Sequence, residues 1–189
     1  QDDQVLVVAG PLRGRARLEQ VDRLVGLQRD QAVLDVVLQV VGDVILDAGY
    51  GIAKMDRYAA PGRDTFLFLS HFHLDHIAGL HTLCKFRFGR LTVCGPAGTR
   101  TALNTIMNPP FTVPLSGLPY PSSVCELPDE GASLPFPVEA RPLRHASLTL
   151  GYRFRFAGRS IAYCPDTGYC ENAVRLAAGV DLLIAECAY

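Results

Sequence analysis

The sequence has 189 residues, of which 49% are hydrophobic and 20% charged, so it is long enough for one domain with a substantial core and typical of a folded chain. Its formal net charge of −1 excludes the overall positive field that would hold a nucleic-acid backbone. No run approaches the roughly 20 apolar residues of a membrane span, and the acidic start is unlike a signal peptide. We therefore expect a cytoplasmic protein that does not enter a membrane.

The first 35 residues form a segment of uncertain structure. Val5 to Ala9 is a short apolar run, and apolar residues between Leu18 and Val25 have roughly helical spacing. Val33 to Val41 is strand-like, Gly42-Asp43 is typical of a hairpin turn, and Val44-Ile45-Leu46 resumes the strand. We expect one domain over residues 36–189.

Further strands and helices alternate along residues 47–137. Asp47-Ala48-Gly49 ends a strand and indicates a functional loop, with a plain turn as the alternative. The patterns predict a buried strand over Thr65–Ser70, a helix over 77–83 that carries Ile77, Leu80 and Leu83, and a short strand over Leu91–Cys94. They also predict a turn at Gly95-Pro96 and a second helix over Gly98–Met107. Residues 109–137 are rich in proline and are interpreted as an ordered surface loop.

The last third of the chain predicts a compact group of strands with one helix. Strands are expected over Val138–Leu143, Leu150–Phe156, Ser160–Cys164 and Asp181–Ala185, and a helix over Glu171–Ala178. Strands mixed with helices in this order favour an α/β layered domain. The six cysteines form no C-x-x-C pair, and we interpret them as reduced thiols, several of them small buried hydrophobes.

The segment Ser70-His71-Phe72-His73-Leu74-Asp75-His76 carries three imidazoles and a carboxylate directly after an apolar strand. Alternate residues of an extended chain point the same way, so His71 and His73 can reach one metal together. The chain then turns toward a helix, which lets Asp75 and His76 face a second metal. Imidazole and carboxylate suit Zn²⁺, with Mn²⁺ or Fe²⁺ as alternatives.

This segment matches the H-x-H-x-D-H signature of the metallo-β-lactamase superfamily, which the chain resembles over about residues 40–189. Four other stretches resemble further motifs of that family: Ile45–Gly49, Asp75–Leu80, Tyr163–Gly168 and Leu182–Glu186. The second of these is similar to the helix start of the phosphodiesterase and ribonuclease Z branches. The resemblance implies an αββα sandwich without its C-terminal part.

The same resemblance implies a dinuclear zinc site. His71, His73 and His145 would bind one zinc, Asp75 and His76 the other, and Asp166 would bridge the two. Asp75 and Asp166 are accordingly the predicted catalytic carboxylates. A metal-bridging hydroxide is implied as the nucleophile, so no nucleophilic side chain is needed.

Two features depart from the family pattern or lie outside it. The family supplies one more histidine to the second metal after the region that matches Glu186, and no histidine follows here. We expect either a fragment or a degenerate site that binds one metal tightly and a second weakly. His81 lies outside the motif and is interpreted as a partly exposed helix residue, with a substrate contact as the alternative.

The resemblance favours hydrolysis of a phosphodiester in a small anionic or nucleotide-like substrate. A tRNA 3′-processing endoribonuclease like ribonuclease Z is the first alternative, although RNA is not the favoured substrate. Two features oppose it: a compact pair of strands joins His145 to Asp166 in place of that family's long arm, and Ala185-Glu186-Cys187-Ala188 replaces its His-Glu-Ala-Thr motif. Thioester or lactone hydrolysis, and a metal-binding module without turnover, are further alternatives, and a homo-oligomer is compatible with each.

Overall fold

The computed structural model describes residues 5–9, 44–57, 60–156 and 158–186. The helix over 18–25, the strand over 33–41, the hairpin turn at Gly42-Asp43 and the domain boundary at residue 35 lie outside the described residues. The chain divides into two compact units. The central unit is Val41–Gly131, and the terminal unit combines Gln1–Val40 with Ala132–Tyr189.

The central unit contains a four-stranded sheet in the order β2-β3-β4-β5, in which every neighbouring pair is parallel. Its strands are β2 (Val44–Leu46), β3 (Asp64–Phe68), β4 (Arg90–Pro96) and β5 (Ser122–Leu127). Its α-helices are α1 (Leu74–Ile77) and α2 (Thr99–Ile106), and its 3-10 segments include Tyr50–Arg57, Ala78–Lys85 and Leu115–Gly117.

The buried core of the central unit covers this sheet with apolar side chains from the helices and loops. Leu67, Leu91 and Val93 from the strands are fully buried and belong to one cluster with Leu83 and Leu103. Parallel strands are normally buried on both faces, which explains why β3 and β4 consist of nearly continuous runs of apolar residues.

The terminal unit contains a five-stranded mixed sheet in the order β1-β9-β8-β7-β6. Only β8 and β9 pair in parallel, and the other three neighbouring pairs are antiparallel. The strands are β1 (Val5–Ala9), β6 (Val138–Pro142), β7 (Leu150–Phe156), β8 (Arg159–Cys164) and β9 (Leu182–Glu186). Helix α3 (Glu171–Ala177) lies between β8 and β9 in the chain, as a parallel connection requires, and buries Leu176 in a cluster with Leu143 and Ala162.

The predicted elements within the described residues are confirmed to within a few residues, with three corrections. The helix predicted over 77–83 is mostly a 3-10 segment, Ala78–Lys85, which follows the four residues of α1. Gly95-Pro96 is not a turn, because both residues continue β4 and pair with Glu126 and Leu127. Gly95 is required there for packing, since a Cβ at this position would lie inside 3.0 Å of the Thr99 hydroxyl. The proline-rich stretch 109–137 is not a loop throughout, because it contains β5, which buries Cys125 and Leu127 at the edge of the parallel sheet.

The mixed α/β class predicted from the sequence is confirmed by the two sheets and their helices. Within the described ranges, no helix combines the length and apolar composition that crossing a membrane requires.

Candidate metal centre

Two parallel strands of the central unit end side by side and deliver the candidate site to one edge of the sheet. Leu46, the last residue of β2, pairs with Phe68, the last residue of β3. Asp47 follows the first strand directly, and Ser70 and His71 follow the second. The carboxyl ends of parallel strands are the usual place for ligands in open α/β sheets, because the connecting loops converge there.

Asp47 is the centre of a hydrogen-bond network that joins the two loops. Its carboxylate is 8% exposed and its backbone is left-handed, with φ at 57°. Oδ1 accepts from the Ser70 backbone N–H at 2.6 Å, and Oδ2 accepts from the Ser70 hydroxyl at 2.7 Å. Oδ2 also lies 2.7 Å from Nδ1 of His76, which donates to it. One buried carboxylate therefore fixes the positions of both Ser70 and His76.

This network determines which nitrogen of two histidines carries the proton. Because the Ser70 hydroxyl donates to Asp47, its oxygen accepts from Nδ1 of His71 at 3.0 Å. His71 and His76 thus both carry N–H on Nδ1 when neutral, and the lone pair of each ring lies on Nε2. Histidines that bind metals usually donate their second nitrogen to a carboxylate or another acceptor in this way.

The nitrogens that carry the lone pairs lie beside further ligand-type atoms. Nε2 of His71 is 3.0 Å from Nδ1 of His73. Two nitrogens bound tetrahedrally to one zinc at about 2.0–2.1 Å would lie about 3.4 Å apart, so these rings need to open by only a few tenths of an ångström. Nε2 of His76 is 3.3 Å from Oδ2 of Asp75. The donor set of the central unit therefore fits a divalent metal.

Exposure differs along the motif in a way that leaves the site open on one side. The His71 side chain is fully buried and that of His76 is 15% exposed. His73 is exposed, and the Asp75 side chain is 53% exposed. The anchoring groups are thus desolvated, whereas His73 and Asp75 remain accessible to solvent.

Close backbone packing holds the motif against the loop that carries Asp47. The Ala48 N–H donates to the His76 carbonyl oxygen, and the Gly79 N–H donates to the Ala48 carbonyl oxygen, both at 2.7 Å. A Cβ on Gly79 would lie inside 3.0 Å of the Gly49 carbonyl oxygen, and a Cβ on Gly49 would meet the Asp75 carbonyl oxygen equally closely. Both glycines are required because no side chain fits between these backbones.

His145 and Asp166 lie together in the terminal unit, in the loops that follow β6 and β8. Nε2 of His145 is 3.8 Å from Oδ2 of Asp166, and both side chains are about one-fifth exposed, at 22% and 19%. The Gly168 N–H donates to the Arg144 carbonyl oxygen at 2.8 Å, and this isolated bridge holds the two loops side by side. A histidine and a carboxylate of this kind can contribute to a metal site.

All six predicted ligands are therefore described, four of them in the central unit and two in the terminal unit. Sequence reasoning did not assign roles to Asp47 and Ser70, which position the histidines without belonging to the motif. An aspartate directly after a buried strand and before a glycine was the available signal for the first. Cys164, close to Asp166 in the sequence, is a packing residue: burial raises the pKa of its thiol to about 12.

Comparison with known proteins places the chain in a family. The family model described as "Beta-lactamase superfamily domain" matches residues 43–189. A ribonuclease Z from Macrococcus caseolyticus is 26% identical, with 68% of this chain and 59% of that protein covered. The chain thus spans about three-fifths of the length of this curated relative.

Solved structures share the fold. Human tRNase Z, short form, superposes with a TM-score of 0.53 at 23% identity, over 70% of this chain and 62% of that one. A diphosphatase from the PhnP family superposes with a TM-score of 0.54 at 18% identity, over 73% of this chain and 53% of that one.

Proposed function

Because the chain belongs to the β-lactamase superfamily and has its metallo-β-lactamase fold, we propose that it is a metal-dependent hydrolase that cleaves a phosphodiester in a nucleotide-like substrate. The observation that carries this proposal is the Asp47 network, which fixes the proton of His76 on Nδ1 and, through Ser70, that of His71. A histidine held in this way has its Nε2 lone pair directed outward, which suits metal binding. Relatives named as a ribonuclease and as a diphosphatase support phosphorus as the atom that water attacks.

The proposed ligands are the six residues of the motifs, and zinc is the proposed metal, with two ions in a complete site. His71, His73, Asp75 and His76 come from the central unit. His145 and Asp166 are proposed as the remaining ligands because their order along the chain matches that of the family's motifs. A divalent metal held there supplies Lewis-acid polarisation of phosphoryl oxygens and activates water near neutral pH.

The chain's own residues divide the remaining work. Asp47 and Ser70 orient the buried imidazoles, so that their positions are set before any substrate binds. The half-exposed carboxylate of Asp75 lies next to His76 and can accept a hydrogen bond from the attacking water, which orients it toward phosphorus. Asp166 is proposed as the second catalytic carboxylate. No nucleophilic side chain is required, since water attacks directly.

A tRNA 3′-processing endoribonuclease is the second candidate, supported by a curated relative named ribonuclease Z and by a solved structure named tRNase Z. The short connection between the motifs opposes it: β7 and β8 form a hairpin joined only by residues 157 and 158, so no long arm is present between His145 and Asp166.

A reducing, cytoplasmic location is also a proposal, supported by free thiols at the five described cysteines.

A substrate panel on metal-loaded protein tests the proposal. The panel contains methyl p-nitrophenyl phosphate, a precursor tRNA transcript, a thioester and a lactone. We expect hydrolysis of the phosphodiester and a loss of more than about 100-fold in Asp166→Asn, because loss of a direct ligand should exceed the 10–100-fold effect of an outer partner. The exposed Asp129→Asn has the same change of charge and serves as the matched control.

Three results would contradict the proposal. Turnover of the thioester or lactone alone would assign a different reaction. Cleavage of precursor tRNA without the small phosphodiester would favour the endoribonuclease. Tight metal binding without turnover of any substrate would indicate a metal-binding module.

A further inference from the structure

A cavity of about 430 Å³ lies in the central unit, next to the turn that carries the proposed metal ligands. One wall comes from this turn and the other from the end of α2 and the chain after it; the main contributors are Leu74, Ile77, His81, Thr105, Met107 and Phe111. Pockets that bind small molecules have about 300–1,000 Å³, mostly apolar walls and a few polar groups. The size and lining of this cavity match that description.

The cavity begins within one residue of the candidate metal centre. Leu74 stands between His73 and Asp75 in the motif, is 73% exposed, and lines the cavity. Ile77 and His81, which follow Leu74 in the same helical segment, also line the cavity, whereas Asp75 and His76 are not among its lining residues. A molecule whose phosphate lies at the motif would need to extend only around Leu74 to reach the cavity.

The walls suit a flat, uncharged group with polar edges. Ile77 and Met107 are at most 5% exposed and form an apolar floor, and the Phe111 ring is 78% exposed at the rim. Of the described residues that line the cavity, none is Lys, Arg, Asp or Glu, so nothing there neutralises a phosphate or a carboxylate. A charged part of the substrate therefore belongs at the metal centre and an uncharged part in the cavity.

Three polar side chains supply hydrogen-bond groups at the edge of this apolar surface. Thr112 contributes a hydroxyl, and the hydroxyl of Thr105, which donates to the Thr101 carbonyl oxygen at 2.8 Å, contributes an oxygen that can accept. Nδ1 of His81 lies 2.6 Å from the Ala78 carbonyl oxygen and donates to it, which leaves Nε2 as an acceptor in the neutral ring. An apolar cavity lined by an aromatic and a thioether side chain, with hydroxyl and imidazole groups beside them, has the features that bind a nucleobase.

We propose that this cavity is a base-binding subsite, which holds the heterocyclic base of a nucleotide-like phosphodiester while its phosphate lies at the metal centre. The proposal rests on the phosphodiesterase function proposed above and assigns His81 and Phe111 to substrate specificity. It explains why a histidine outside the metal motif and an exposed phenylalanine stand at the same cavity.

A pair of substrates with the same leaving group tests the subsite by activity. Methyl p-nitrophenyl phosphate and thymidine 5′-(p-nitrophenyl phosphate) both lose p-nitrophenolate when water adds to phosphorus, so the same P–O bond breaks in each. We expect the nucleoside to raise kcat/KM by at least about 10-fold, as stacking of one base allows. Thr105→Phe fills the cavity from the exposed face of α2 and should bring the ratio of the two kcat/KM values close to one.

Asn104→Phe is the matched control, because Asn104 is exposed on the same helix and does not line the cavity. This variant should keep the preference, and circular dichroism should show that both variants fold. A wild-type protein that cleaves both esters equally well overturns the subsite, as does a Thr105→Phe variant that keeps the preference.

Binding of adenosine and thymidine to metal-free protein, measured by saturation-transfer NMR, separates the subsite from the phosphodiesterase function. Both nucleosides lack phosphate, so their binding depends on the cavity alone. Binding that is lost in Thr105→Phe and kept in Asn104→Phe supports the subsite even if neither ester is hydrolysed, in which case only the proposed reaction fails. Hydrolysis of the methyl ester without binding of either nucleoside overturns the subsite alone. Absent nucleoside binding, together with a dimer that Thr105→Phe converts to monomers in sedimentation, overturns it in favour of a subunit interface.

Discussion

Replacing Asp47 by asparagine should weaken metal binding while the fold persists. Asp47 accepts hydrogen bonds from the Ser70 N–H, the Ser70 hydroxyl and Nδ1 of His76, at 2.6, 2.7 and 2.7 Å. Asparagine has a donor in place of one of the two oxygens, and either orientation of its amide sets an N–H against another donor. The simplest relief is for His76 to move its proton from Nδ1 to Nε2, which removes the lone pair that would bind metal.

The expected magnitude follows from this exchange. Loss of a carboxylate partner behind a metal-binding histidine costs about 10–100-fold in metal affinity or activity, or about 1.4–2.7 kcal/mol. The lost charge-assisted hydrogen bond should also lower the free energy of unfolding by about 1.5–3 kcal/mol. Backbone strain adds little, because Asn adopts the left-handed conformation at least as readily as Asp, and φ here is 57°.

Zinc titration in competition with a chromophoric chelator measures the affinity, and thermal unfolding of the metal-free protein measures stability. Asp129→Asn has the same change of charge at an exposed position and should leave both unchanged. Ser70→Ala should also weaken zinc binding, because it removes both the acceptor of Nδ1 of His71 and one hydrogen bond to Asp47. An Asp47→Asn protein that binds zinc as tightly as the unaltered chain would refute the assignment of the His76 proton to Nδ1.

Three further results are expected. His73→Ala should remove more hydrolytic activity than His81→Ala, since one is a proposed ligand and the other a cavity residue; equal losses in folded variants would contradict the ranking. Gly79→Ala should destabilise by at least about 1–3 kcal/mol in urea unfolding, because its Cβ meets two carbonyl oxygens, whereas Gly51→Ala, with open space around it, should not. Iodoacetamide should label the exposed Cys84 of the native protein before Cys94, whose thiol is buried and has a raised pKa; mass spectrometry of the labelled peptides measures the order.

The strands and helices that could be predicted are those whose pattern is local. The apolar run over Thr65–Ser70 gave a buried strand, and the structure has one over Asp64–Phe68. Strand β5 was missed because its neighbourhood is rich in proline, and it is stabilised by parallel pairing with β4, from which it is about 30 residues distant in the chain. Pairing of this kind leaves little trace in local composition. Tertiary contacts therefore override the local preference of this stretch for a loop.

The residues of the candidate site also separate into those that local sequence predicts and those that depend on tertiary contacts. The ligand-type residues of the motif all lie within the six positions from His71 to His76, so their spacing could be read in the sequence and the ligand types predicted. The role of Asp47 could not, because its partners are 23 and 29 positions away and are reached only when β2 and β3 pair. The cavity is a similar case, since its walls come from segments around residues 74–81 and 105–112 that carry no shared motif.

The arrangement around Asp47 indicates that the cost of ordering the central ligands is met during folding rather than on metal binding. His71 is fully buried and Asp47 nearly so, and burial of such groups is unfavourable unless each is hydrogen-bonded. The Asp47 carboxylate accepts hydrogen bonds that join both loops. The two glycines bring the backbones close enough for the Ala48 and Gly79 hydrogen bonds to form. A metal bound at the proposed centre would meet the imidazoles of His71 and His76 already ordered, so little of its binding free energy would be spent on ordering them. Asp47 and the two glycines would thus support the proposed metal centre without touching the ion.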